Sequence, residues 1–161
     1  MKIISYLIFL MQFSVFSQTK GRFNIYTNVT LDWEIQEFEK SKHKFDYCIE
    51  SGWKYICKID DSEWFGSDLG MEYPKNQLAK LVLTIGNQKY QLLTSKMFNP
   101  NFSGYLDENQ FKLVKYNDYF ILYSFFSDGA GSYSAHWKIK NDIAERIVLS
   151  NDEKYFEWQL D

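Results

Sequence analysis

The chain has 161 residues, with 18 Lys and Arg against 21 Asp and Glu and a formal net charge of -3. That length predicts one domain. The acidic balance argues against a nucleic-acid binder, which needs a basic field, and 19% aromatic residues argue against disorder. The 2 Cys and 2 His cannot complete a His/Cys zinc tetrahedron unless both kinds cluster.

Met1-Lys2 precedes a short apolar run and then small residues, the pattern of a secretory signal peptide. Val15 and Ser17 suit the cleavage positions, so residues 1–17 read as a leader and the mature chain starts at Gln18. A retained anchor is the alternative, but a spanning helix needs about 20 predominantly apolar residues, and Ser5, Gln12 and Ser14 weaken this run. The expectation is a secreted or periplasmic protein with no stable membrane anchor and a single all-β domain over 18–161.

From 23 to 35 the odd positions Phe23, Ile25, Val29, Leu31, Trp33 and Ile35 are apolar, while the even ones are mostly polar. Period-two alternation predicts a half-buried strand, long enough to bend or break near Asn28. A helix from Asp32 through Ile35 and Phe38 explains fewer residues. Strands are predicted next at 44–50 and 53–59, flanking Glu50-Ser51-Gly52-Trp53. A type II′ turn at Gly52-Trp53 would set Cys48 directly opposite Cys57, close enough for a disulfide, which an exported chain favours. A type I′ turn at Ser51-Gly52 would instead oppose Cys57 to Asp46.

The loop 60–72 carries Asp60, Asp61, Glu63, Asp68 and Glu72. Five carboxylates could offer oxygen ligands to calcium, the one cofactor the chain suggests, although the spacing matches no helix–loop–helix calcium loop. A solvated connection is the simpler account. Trp64 and Phe65 in that loop are expected either to lid the core or to present an aromatic contact surface. Tyr73, Tyr105 and Tyr116 are candidate surface aromatics.

Further strands are predicted at 78–85, 89–93, 111–116, 119–126, 132–140, 143–149 and 155–160. Gly86-Asn87 and Asn117-Asp118 supply hairpin turns, and Asp128-Gly129-Ala130-Gly131 a longer one, with no helix following it to make a phosphate cradle. Segment 119–126 is apolar on both faces and should be central. In 132–140, Tyr133, Ala135, Trp137 and Ile139 face the core, and His136 faces water or a partner. The Lys-bearing face of Lys138 and Lys140 and the charged strand 143–149 would blunt the edges. Ser132, Ser134, His136 and Asp128 contain the residue types of a hydrolytic triad, but residues two apart on one pleated face project in parallel.

These elements amount to an all-β antiparallel meander of about nine or ten strands, closing as a sandwich or open barrel with little helix. No catalytic set and no metal site is assigned. The expected function is non-catalytic binding of a protein or glycan through loop ends, at Asp60, Asp61, Glu63, Trp64, Phe65, Asp68 and His136. The alternatives are a small hydrolase using the loop carboxylates, or an envelope inhibitor or immunity-type protein acting through its acidic face.

Overall fold

The computed structural model describes residues 18–159 other than Phe102 and Asp128, so residues 1–17, the expected leader, lie outside the described residues. Strands β1 (Gln18–Tyr26) and β2 (Val29–Glu37) divide the long alternating run into a hairpin. The break falls at Thr27-Asn28, with Asn28 in the left-handed region at φ 62°. Phe23 pairs with Leu31 and Gly21 with Trp33, odd with odd, up to a register shift between Asn24 and Tyr26. Odd positions in both strands therefore face the core, and Val29, Leu31, Trp33 and Ile35 are buried. The Trp33 ring lies over Gly21, its cross-strand partner, where a Cβ would approach it to 2.6 Å.

A small sheet follows, made of β3 (Phe45–Glu50), β4 (Trp53–Ile59) and β5 (Ser62–Glu63) in that order. Then β6 (Asn76–Ile85) returns to pair with β2, and β7 (Gln88–Gln91) completes a four-stranded sheet ordered β1-β2-β6-β7. The second four-stranded sheet is an uninterrupted meander of β8 (Phe111–Lys115), β9 (Phe120–Phe126), β10 (Tyr133–Lys140) and β11 (Ile143–Ser150). All pairings are antiparallel, and the architecture is an all-β sandwich. The first sheet departs from a simple meander, because the β3–β5 sheet is an excursion between two paired strands.

The apolar double face of 119–126 is explained by position, since β9 lies inside its sheet between β8 and β10. Tyr133, Ala135, Trp137 and Ile139 are buried as their alternation predicts, against Leu122 and Phe126 and against Leu31, Leu81 and Leu83 of the facing sheet. Trp137 Nε1–H donates to Leu93 O at 3.1 Å, and Arg146 Nη1–H donates to Ser95 O at 2.6 Å. These bonds fasten the second sheet to the segment after β7. Edge strand β11 carries Glu145 and Arg146 as expected, yet Ile143 and Ile147 stand exposed beside them. A second apolar cluster of Phe38, Ile56, Ile59 and Phe98, with Phe45, Trp64 and Tyr73 against it, underlies the small sheet.

Two expectations are corrected. Residues 155–160 do not form a strand over the described part; 3₁₀ turns at Glu153–Tyr155 and Glu157–Gln159 occur instead, and Asp152 caps the first by accepting the Lys154 N–H. The aromatics Tyr155, Phe156 and Trp158 are not alternating, and Tyr155 ends the first turn while Trp158 sits in the second. They pack over β9 and β10, with Phe156 edge-on to Phe125 at 5.2 Å and Trp158 6.1 Å from Tyr123. The second correction follows from the first: His136 does not face water. It is 6% exposed under this cover, with Tyr155 at 5.8 Å.

Candidate functional site

The hairpin β3–β4 turns at Ser51-Gly52, with φ of 50° and 84°, both in the left-handed region that a type I′ turn needs. Glu50 consequently pairs with Trp53 and Cys48 with Tyr55. The expected turn at Gly52-Trp53 is displaced by one residue. Cys48 and Cys57 are nevertheless joined in a disulfide, with Cα atoms 5.7 Å apart. The ladder passes from Tyr47–Ile56 to Asp46–Lys58, leaving Cys57 as the extra residue of a β-bulge. The bulge also lets Ile56 and Ile59, three apart, both enter the small core; in a regular strand they would face opposite sides.

Directly opposed residues share a sheet face. One face of the hairpin therefore carries Glu50, Trp53, Cys48 and Tyr55, and the other carries Tyr47, Ile49 and Lys54. The loop after β5 folds across the first of these faces. Ile56 N–H donates to Gly70 O at 2.8 Å, and Trp64 Nε1–H donates to Ile56 O at 3.0 Å. Gly70 sits at φ 62°, and a Cβ there would meet Ile56 O at 2.7 Å, so the contact requires glycine.

The far side of the loop is pinned to the Gly-rich turn before β10. Gly66 N–H donates to Gly131 O at 2.9 Å, and Gly131 N–H donates to Asp68 Oδ1 at 2.9 Å. Asn99, itself buried, donates to Gly66 O at 2.8 Å and accepts from Lys75 N–H at 2.8 Å. Two sequence segments considered separately, 60–72 and 127–133, thus form one structural unit.

Between hairpin and loop runs an open cleft of about 720 Å³, lined by Trp53, Tyr55, Trp64, Leu69 and Met71 and rimmed by Glu50, Glu63 and Asp68. Trp53 is 66% exposed, Leu69 66% and Met71 46%. No Lys, Arg or His is among its lining residues. Trp64 tucks inward and forms part of the cleft wall, while Phe65 passes into the main core and stacks on Tyr133 at 5.9 Å. Of the seven expected binding residues, Glu63, Trp64, Phe65 and Asp68 meet here.

Asp60 and Asp61 do not. They form the β4–β5 turn, at φ 52° and 60°, on a separate ion-pair cluster. Asp60 accepts from His43 Nδ1 at 2.7 Å and from Lys44 N–H at 3.0 Å, and Lys44 Nζ binds Asp61 at 2.7 Å. Partial burial pushes the Asp60 carboxyl up, but these hydrogen bonds outweigh it and hold the group below the usual carboxylate range. Asp61 is lowered by Lys44. Lys96 Nζ and Ser62 Oγ are hydrogen-bonded on the adjoining strand. His43 stacks on Phe38 at 4.4 Å.

The loop carboxylates therefore serve different partners, and among the described residues no three His, Cys, Asp or Glu side chains converge to hold a metal. His136 is placed elsewhere again, beneath the C-terminal turns. Ser134 Oγ donates to Tyr155 O at 2.9 Å and not to the imidazole, and Asp128 lies outside the described residues. The candidate surface tyrosines are also dispersed: Tyr73 bonds Tyr47, Tyr105 lies edge-on to Trp33, and Tyr116 stacks on Tyr119.

Trp53, Tyr55, Leu69 and Met71 were not expected at the site. Their one sequence signal was Trp53 beside Gly52, which a turn centred on Ser51-Gly52 places at the tip of a strand. Among the described residues no helix is long and apolar enough to cross a membrane. Comparison with protein-family models, with curated proteins and with solved structures finds no match.

Proposed function

We propose that this protein is an exported, non-catalytic binding domain that engages a protein partner through the cleft between the β3–β4 hairpin and the loop 64–72. The observation that carries this reading is the joint exposure of Trp53, on the disulfide-stapled hairpin, and of Leu69 and Met71, on the loop that faces it across the cleft. Large apolar side chains converging on one rimmed surface mark interaction sites. Aliphatic Leu and Met chains gain most from an apolar partner surface, whereas a glycan site rests on flat aromatic platforms with polar rims. The disulfide and the apolar leader at 1–17 support action outside the cytoplasm. The hydrolase alternative loses support because Asp60, Asp61 and Asp68 are each engaged with a different group.

A photo-crosslinking residue at Ser51, beside the cleft, tests the proposal in cells that produce the protein. It should give a discrete protein adduct that disappears with Trp53→Ala. The same residue at Gly86, in the turn at the other end of β6, should give none. Adducts that ignore Trp53, or that form equally from Gly86, would sink the reading. Saturable binding of neutral oligosaccharides at Trp53 with no protein adduct would replace it with a glycan-binding one.

A further inference from the structure

We propose that the cleft's ligand is a cationic, extended peptide segment whose Lys or Arg side chains meet Glu50 and Glu63 while its apolar side chains cover Leu69 and Met71. This inference rests on the cleft being a binding site and adds the chemistry of the occupant.

Charge distribution is its main support. The cleft brings Glu50, Glu63 and Asp68 together with no Lys, Arg or His in its lining, whereas five carboxylates elsewhere pair with a cation: Asp32 with Arg22, Glu39 with Lys42, Asp61 with Lys44, Asp118 with Lys140 and Asp152 with Lys154. Among the described residues, none of these ion pairs includes a carboxylate of the cleft. Lys54, next in sequence to Trp53, is turned to the opposite hairpin face, 4.2 Å over the Tyr47 ring. Lys58 stands across the ladder from Glu63, and only that rim carboxylate has a cation as its cross-strand neighbour. Asp68 already spends one oxygen on the Gly131 N–H.

An unpaired carboxylate beside apolar walls attracts a cation more strongly than one in open water, because less solvent screens it. Trp53 and Tyr55 add π faces that favour Arg or Lys over a neutral group. The spacing of the two kinds of group also matters. Acidic and apolar groups stand side by side on both banks, Glu50 opposite Trp53 on the hairpin and Asp68 next to Leu69 in the loop, which suits an extended peptide that carries cationic and apolar side chains together. A neutral glycan would leave the two glutamates without ionic partners.

The test titrates the purified mature protein with the amidated peptide (Arg-Leu)4, read by tryptophan fluorescence and calorimetry. The citrulline analogue of the peptide and a neutral β-linked hexasaccharide are the comparison ligands. The peptide should bind, and raising salt from about 20 to about 500 mM should weaken it by about tenfold or more. Glu50→Gln with Glu63→Gln should cause a loss of similar size, and citrulline for Arg should do the same. Asp142→Asn with Glu145→Gln, exposed charges on the β10–β11 hairpin, removes equal charge and should change little.

Equal weakening by both double variants would mean attraction to net charge only, and would overturn the inference. Binding that depends on Trp53 but not on Glu50 and Glu63 would overturn it too, while leaving the cleft as a binding site. Preference for the hexasaccharide would make the occupant a glycan. If Trp53→Ala alters binding of no ligand in the set, the proposed function falls with the inference. Unchanged thermal melts for these exposed-site variants confirm that folding is intact.

Discussion

His136 is enclosed by Tyr123 of β9, by its ladder partner Val148 of β11 and by Tyr155 of the C-terminal turns, with Trp158 packed on Tyr123. Its ring is hydrogen-bonded to the Tyr155 backbone, and Nε2 is buried without a partner. Burial lowers its pKa from 6.5, and the Tyr155 bond recovers only part of that. Below about pH 6.5 the unfolded chain therefore takes up a proton that the folded chain refuses. Stability should fall as pH drops through that value, by at most about 1.4 kcal/mol per pH unit for one proton, until the lowered folded pKa is reached. Urea midpoints between about pH 7 and 5 should show this slope in the parent and a flatter one in His136→Gln. An unchanged slope would assign the proton to another group. Asp60 acts at lower pH: its folded pKa lies under 3.8, and the stability it contributes is present above 3.8 and lost as pH falls through the folded value. The inward set Tyr133, Ala135, Trp137 and Ile139 was legible because strand alternation is a local property. The surroundings of His136 were not, because a segment some twenty residues later covers it.

The β3–β4 hairpin unites the disulfide, the bulge and the exposed tryptophan in one element. Pairing of Cys48 with Cys57 could be read from their spacing and the expected compartment. The register could not, since one bulged residue at Cys57 and a one-residue shift of the turn compensate each other. Had the ladder been regular, Ile56 or Ile59 would have left the small core. Replacing both cysteines with serine should weaken local closure of this hairpin by about 2 kcal/mol. Hydrogen exchange should then quicken over 45–59 and stay slow over β9 and β10, whose core lies in the sandwich. Equal loss of protection in both would show that the two units open as one.

At the scale of the molecule, the sandwich is a scaffold and the excursion between β2 and β6 bears the cleft. Phe38 N–H donates to Lys75 O at 3.1 Å, so the ladder of β2 and β6 extends to the mouth of the excursion. Replacing residues 39–74 with an Asn-Gly turn should therefore leave a folded sandwich. It should be less stable by about 2 kcal/mol from the loss of Phe65, whose partly buried ring stacks on Tyr133. It should also fail to bind (Arg-Leu)4. Circular dichroism and a urea melt check the first expectation, and retained binding would place the site outside the excursion.

Sequence by itself determined the all-β class, most strand positions, the inward aromatics and the cysteine pairing, because alternation, turn chemistry and residue count are carried locally by the chain. It also singled out Trp64 and Asp68, which line the cleft. Only the tertiary structure decided that the loop 60–72 meets the Gly-rich turn, that Asp60 and Asp61 turn away toward His43 and Lys44, and that Trp53 with Leu69 and Met71 forms the open cleft. Those outcomes depend on contacts between segments far apart in sequence, such as Gly131 N–H to Asp68 and Asn99 to Gly66. No periodicity within either segment encodes them.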